Sequence, residues 1–506
     1  MTNRTKYRIL EIIPGTLVWL TFIGAIVFSF WEPLWVIYFI IAFCVYWLLR
    51  VFYFIFYLII SWKKFRQDIK INWLEKLKKI NNWEKYYHLI ILPTYKEPVE
   101  ILRTTFQSLI ASKYLSDKMI IVLAGEERDK EHFLQNAEII KNEFGKSFYQ
   151  FLITLHPDNL SGEMKAKGAN AHFAGWRAKE LIDKLRIPYE NVIVSYFDCD
   201  TCVHPQYFAC LTYKYATHPK RTRCAFQPVA LYNNNIWDSM ALMRVAAFGT
   251  TFWLLTELAK PDRLFTFSSH SIAFSALVDV GFWQKDIVTD DSRIFLQCFI
   301  RYGGDFRVVP MYVPVSMDTV MANGTWCSLI NLYKQQRRWA WGIEHFPYMV
   351  WHFSRNTLKT NQGEIKTPPI PFLKKMKYLW NLGEGMYSWA TAPILIFILS
   401  KLPFWLGNKK FGETALFQST PVILKWLLTA AMVGMLVSAI LFIFFLPPRP
   451  QKEKPFKFFI MILQWLLLPV TLILFGSVPA TEAQTRLMLG KYLGFRVTEK
   501  ERKQNF

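Results

Sequence analysis

Residues 12–30 carry no charge, and residues 34–62 carry one, Arg50. About 20 consecutive apolar residues cross the hydrocarbon of a bilayer as a helix, so each run predicts a transmembrane span. No small-residue cleavage site follows the first, which predicts a retained anchor and not a leader. The Glu32-Pro33 turn between them predicts a hairpin that returns Lys63 to the side of the N-terminus. Apolar runs come back only at 379–400, 422–446 and 458–478, with Glu384 the main charge inside them. Three spans would put a tail rich in Arg486, Lys491, Arg496, Lys500, Arg502 and Lys503 on the opposite side from the middle region. Either one run is re-entrant, or the stretch 403–420 holds a further crossing.

The long polar middle has a different rhythm. Short apolar runs at 88–93, 119–124, 148–155 and 192–197 alternate with amphipathic stretches at 98–112, 129–144 and 168–185. Runs of four to eight apolar residues read as strands buried on both faces, and the alternation predicts a parallel sheet covered by helices. The chain therefore divides into two N-terminal spans (1–62), an α/β domain with interfacial helices (63–375), a C-terminal membrane region of about three helices (376–480) and a basic tail (481–506). The basic, aromatic stretch 63–85, with Trp73 and Trp83, is expected to lie along the membrane surface.

Composition changes this picture in two places. A net charge of +22 invites a nucleic-acid reading. Its placement does not: Arg4, Lys6 and Arg8 precede the first span, Lys63, Lys64, Arg66 and Lys70 follow the second, and Arg449, Lys452, Lys454 and Lys457 separate the last two. That is the pattern of cytoplasmic flanks facing anionic headgroups, so no nucleic-acid partner is expected. Most of the seven cysteines fall in the polar middle, which suits a reduced cytosolic domain without disulfides or zinc.

The candidate chemistry gathers at predicted strand ends. The strand 192–197 runs into Asp198 and Asp200, and open α/β sheets bind ligands beyond the carboxyl ends of their strands. Paired carboxylates there suit Mg²⁺ or Mn²⁺ carrying a substrate's phosphates. The Pro-Thr-Tyr turn at 93–95, with Glu97, offers hydroxyls, a ring and an acceptor. The stretch 162–170 brings Lys165 and Lys167 between flexible glycines, with Asn170, where a diphosphate needs neutralising. Asp290 and Asp291 open a helix: N-capping accounts for Asp290, leaving Asp291 to act as a general base. Gln335, Arg338 and Trp339 share one face of a basic helix, an amide, a guanidinium and an indole able to hold phosphate and a sugar ring.

In chain order, PTYKE, KAKGAN, DCDT, TDD and QQRRW resemble the family 2 glycosyltransferases over residues 87–345. The closest likeness is to the membrane-embedded branch with cellulose and hyaluronan synthases. The resemblance implies a GT-A domain between transmembrane helices and sugar transfer with inversion. It implies Asp198 and Asp200 on the metal and diphosphate, and Asp291 as base. Gln335, Arg338 and Trp339 would grip the donor diphosphate and the acceptor end. Thr94, Tyr95 and Glu97 would form the nucleotide turn, with Lys165 or Lys167, and Asn170, beside them. His270, in the loop 267–271, and Asp290 would meet the acceptor.

Departures are visible too. The second strand ends LAGEERD, leaving Glu126 or Glu127 where an acidic pair usually meets the base. The loop 267–271 lacks the usual glycines, and the tail around 496–500 only loosely matches the gating segment of cellulose synthases. The expected whole is a multi-pass protein of the cell's inner membrane with a cytoplasmic catalytic domain. It would transfer sugar from a nucleotide donor, UDP-sugar favoured, onto a growing polysaccharide. The alternatives are single addition to a lipid-linked acceptor, or a catalytically silent scaffold or transporter.

Overall fold

A computed structural model describes residues 2–361, 363–451 and 453–494. Lys452 and the tail cations Arg496, Lys500, Arg502 and Lys503, with the tail's likeness to a gating segment, lie outside the described residues. Helices α1 (Asn3–Trp31) and α2 (Pro33–Asp68) break only at Glu32, as the apolar pattern predicts. There follow β1 (Tyr87–Pro93), α3 (Val99–Ile110), β2 (Met119–Glu126), α4 (Lys130–Phe144), β3 (Gln150–His156), α5 (Lys167–Leu185) and β4 (Val192–Tyr196). Each falls within a few residues of its predicted stretch. Leu89 to Leu92, all of β2 and all of β4 are buried. Burial on both faces is why these strands read as unbroken apolar runs and not as alternating ones.

The sheet is mixed, not all parallel as expected. Its order is β3-β2-β1-β4-β7-β6-β8-β5, completed by β5 (Cys202–Val203), β6 (Cys224–Tyr232), β7 (His270–Ala273) and β8 (Arg307–Met317). The first four strands are parallel; β7 runs against both β4 and β6, and β5 against β8. Four residues reading His-Ser-Ile-Ala leave too short and polar a trace to be seen as a strand. Pairing satisfies the serine: the Ser271 and Ser195 hydroxyls, facing each other across the β4–β7 ladder, bond at 2.8 Å.

Between these strands lie α6 (Ala241–Leu258), α7 (Asp290–Arg301) and, after β8, α8 (Thr325–Ala340). The expectation of an interfacial segment at 63–85 is overturned for its tryptophans. Trp73 is 5% exposed and Trp83 7%, packed on Tyr213 and Tyr114 at ring distances of 5.5 and 5.8 Å. An indole with lysines beside it suits a membrane surface and a protein core equally well.

Four helices are long and apolar enough to cross a membrane: α1, α2, α10 (Ala415–Phe445) and α11 (Phe456–Leu489). The run at 379–400 belongs to α9 (Phe372–Phe397), which bends by 41° into Leu399–Leu406 and counts as a fifth crossing only if that pair is one span. The N-terminal helix is fastened to the last: Arg8 donates to the carbonyls of Leu487 (2.7 Å) and Met488, and Trp19 Nε1 donates to Thr485. Two of the charges in the apolar runs meet. Arg50 Nη2 lies 3.0 Å from Glu384 Oε2, and the Tyr46 hydroxyl donates to the same carboxylate.

Candidate active site

The carboxyl edge of β1 and β4 faces the N-terminus of α7, and the Lys167 side chain fills the gap. Lys167 is the first residue of α5, so its side chain reaches past the helix end toward the sheet. Its ammonium stands 2.6 Å from Asp198 Oδ1, 3.3 Å from Asp291 Oδ1 and 4.0 Å over the Tyr196 ring. Burial opposes its charge, yet the facing carboxylates Asp198 and Asp291 outweigh burial and raise its pKa. Lys165, the other candidate, turns away to pair with Asp158 at 2.8 Å, half exposed. Only Lys167 joins the site.

The acids differ in how they are held. Asp198 accepts from the Ser268 hydroxyl at 2.6 Å and keeps about a quarter of its side chain (27%) exposed, as does Asp291 (28%). Asp200 is fully buried and accepts from the Asp318 backbone N–H at 2.7 Å. Cys199 and Cys202 flank it at a CxxC spacing that the cysteine reading passed over, and both are unbridged thiols. The Asp291 carbonyl is fixed by the Thr266 hydroxyl at 2.7 Å.

Two expectations need correction. The N-cap position of α7 is Thr289, and Asp290, instead of capping, takes the Tyr196 hydroxyl at 2.6 Å. Burial, with the Asp291 charge beside it, raises its pKa above the usual carboxyl range. Asp290 and His270 were expected to meet the acceptor, but they are 3% and 0% exposed. His270 Nδ1 donates to the Phe267 carbonyl at 2.9 Å, and the ring packs on Tyr196; burial lowers its pKa to about 4. Both stand behind the site.

The turn at 93–97 is equally mixed. Thr94 is buried against the Leu92 carbonyl, and Asn170 donates to the Ala124 carbonyl at 2.9 Å, tying α5 to the end of β2. Tyr95 remains half exposed, with the Arg128 guanidinium 3.9 Å over its ring and its own N–H on Glu97. Arg128 is in turn paired with Glu126 at 2.5 Å, while Glu127 accepts from the Asp158 N–H. On α8, Gln335 is 8% exposed and Trp339 half-buried, its ring 5.9 Å from that of Tyr232. Arg337 and Tyr333 of the same helix bind Glu482 on α11.

Sequence reasoning missed the residues that hold the acids. Ser268 sits in the loop 267–271, read only for its missing glycines, Thr266 stands just before it, and Tyr196 was taken as strand filling. Glu344 receives Thr289 and Trp341, so it ties the start of α7 to the end of α8; burial raises its pKa. Gly168 is the feature the motif did signal. A Cβ there would stand 2.8 Å from Asp290 Cβ and 3.1 Å from the Gln284 carbonyl. Gly168→Ala should cost about 1–3 kcal/mol of stability and slow turnover, measured by thermal unfolding beside initial rates. Wild-type values for both would show that α5 and α7 part freely.

A family model described as glycosyl transferase family group 2 matches residues 193–479, more than half of the chain. No curated protein matches the chain in sequence. Among solved structures, the mannosyltransferase PcManGT from Pyrobaculum calidifontis, in complex with GDP-Man and Mn²⁺, is 15% identical with a TM-score of 0.42. The match covers 78% of this chain and 99% of that one. Residues 1–349 of S. aureus TarS with UDP-GlcNAc are 11% identical with a TM-score of 0.31, over 70% of this chain and 90% of that one.

Proposed function

From a chain that belongs to glycosyl transferase family group 2, with the α/β domain of a GT-A enzyme and apolar helices at either end, we propose a membrane-anchored, inverting glycosyltransferase. It moves a sugar from a nucleotide donor to an acceptor hydroxyl on the cytoplasmic face of the cell's inner membrane. The observation that carries this reading is one ammonium, Lys167, held between Asp198 and Asp291. Two acids meeting on one cation supports reading Asp198 as the acid of the donor side and Asp291 as that of the acceptor side.

Asp291 takes the proton of the attacking hydroxyl. Lys167, already desolvated, turns its charge to the departing diphosphate. Arg338 grips that diphosphate from α8, and Tyr95 meets the nucleoside. Among the described residues no three acids, histidines or cysteines form a metal cage, but Mg²⁺ is often held by one or two carboxylates and the substrate's own phosphates. The open Asp198 carboxylate, with Asp200 behind it, fits that arrangement. Such an ion, when bound, supplies further positive charge to the leaving group. Tyr95, with the Arg128 guanidinium over its ring, is the residue to meet the base of a UDP-sugar donor.

The acceptor in this reading is a growing polysaccharide, held at Trp339. A lipid-linked acceptor is the second reading, favoured by the cations around Tyr53 described below. The test is purified protein in lipid with a panel of nucleotide sugars and Mg²⁺ or Mn²⁺, identifying what is released and what is extended. Release of no nucleotide from any donor would return the chain to the silent scaffold. Losing an aromatic contact costs about 0.5–1.5 kcal/mol, up to roughly tenfold in retention. Trp339→Ala should therefore shorten the product far more than it slows nucleotide release, while Arg338→Ala slows both. A wild-type product of one sugar on lipid would select the second reading.

A further inference from the structure

Three cations from distant parts of the chain gather on one ring. Arg50 of α2, Lys260 just after α6, and Arg263 lie 5.7, 5.2 and 5.8 Å from the Tyr53 ring centroid. Two of them have acidic partners: Arg50 has Glu384, and Lys260, 7% exposed, has Glu257 at 2.5 Å. Arg263 has none. Among the described residues no carboxylate lies within ion-pair distance of its guanidinium; its side chain donates to the Tyr53 hydroxyl at 3.1 Å, and the adjacent Asp262 is held by Lys377. The cluster thus keeps a positive excess at a half-buried place. The Lys260 proton feels it: burial lowers its pKa first, and Arg263 and Arg50 lower it further against the pull of Glu257.

Depth in the membrane follows from the helix. Tyr53 stands 20 residues beyond Pro33, about 30 Å of helical rise, which is one hydrocarbon thickness. Beyond that level α2 leaves lipid for protein, since the Ser61 hydroxyl donates to the Leu255 carbonyl of α6. The cations therefore sit at headgroup height on the domain's side. From Arg263 the chain reaches Thr266, which holds Asp291, in three residues, and Ser268, which holds Asp198, in five. Five residues extend at most about 18 Å.

We propose that Arg50, Lys260 and Arg263, gathered on Tyr53, bind the phosphate of an anionic lipid at the junction of membrane and domain. Its link to sugar transfer rests on the glycosyltransferase reading above; the binding itself does not. A lipid phosphate there lies close enough to the acids for a lipid carrier to present its headgroup to them, and an ordinary phospholipid would instead brace the domain against the bilayer.

The experiment uses the full chain in phosphatidylcholine nanodiscs containing a few per cent of either a polyprenyl phosphate or phosphatidylglycerol, with no sugar donor present. Bound anionic lipid is counted by native mass spectrometry. Arg263→Gln should weaken retention roughly tenfold, as loss of a charge-assisted contact does, and Arg263→Lys should recover part of it. Glu257→Gln, which removes a neighbouring negative charge, should strengthen retention. Preference for the polyprenyl phosphate makes the site one for a lipid carrier; equal retention of both lipids makes it a headgroup brace. Wild-type retention by folded Arg263→Gln and Glu257→Gln alike would overturn the proposal. In a parallel assay with donor added, loss of retention without loss of nucleotide release, or the reverse, separates this site from the catalytic reading.

Discussion

Asparagine in place of Asp291 is expected to lower sugar transfer by about 10²–10⁴-fold, the range for a lost general base, with nucleotide affinity nearly unchanged. The Asp291 backbone is held through its carbonyl by Thr266 and not through its carboxylate, so the start of α7 should stay where it is. Lys167 keeps its nearer partner, Asp198, at 2.6 Å. The measurement is single-turnover transfer beside equilibrium nucleotide binding, because a base acts on the acceptor and leaves donor affinity alone. A large loss of nucleotide binding would move Asp291 to the donor side. The proton would then need another acceptor, and Asp290, shut against Tyr196, is poorly placed to be one.

Asp198→Asn should be nearly as severe for a different reason. It removes the most open carboxylate of the strand end and leaves the Lys167 ammonium with only the farther Asp291. Transfer is expected to fall by about 10²–10³-fold, the scale of losing one preorganised electrostatic group. The gain in nucleotide affinity on adding Mn²⁺ or Mg²⁺ should vanish with it. Metal-enhanced binding that survives in Asp198→Asn would remove the carboxylate from the donor site. Asp200→Asn is the less clean variant. Although it follows the strand end, Asp200 is fully buried on the Asp318 N–H, and disturbing such a group costs about 1–3 kcal/mol of stability.

Much of the α/β domain was readable because burial on both faces writes itself as unbroken apolar runs: β1, β2 and β4 stood out for that reason. The far half of the sheet did not, since two of the four residues of β7 are polar: Ser271 is satisfied by Ser195 across the ladder and His270 by the Phe267 carbonyl of the loop before it. Among candidate site residues, pattern brought the right neighbourhoods together but not the orientations. Lys165 and Lys167 are equivalent as spacing; they differ because α5 begins at Lys167, which turns one toward Asp198 and the other toward Asp158. Asp290 and Asp291 are likewise equivalent until Tyr196 claims the first. Trp73 and Trp83 misled because aromatic and basic residues mark a membrane surface only when nothing else covers them.

The fastening of the first helix to the last sets a timetable for biogenesis. Arg8 finds its acceptor at Leu487, 479 residues later in the chain. At roughly 5–20 residues synthesised per second, the N-terminal helix waits on the order of half a minute to a minute and a half for that partner. During the wait it sits in the bilayer with α2 as its neighbour, and Arg8 has Glu11 of its own helix as a partner but not the two carbonyls of α11. Assembly of the membrane region therefore finishes only as α11 leaves the ribosome. A ribosome that stalls before residue 487 leaves behind an N-terminal helix without the contacts that Leu487, Met488 and Thr485 give it in the finished protein.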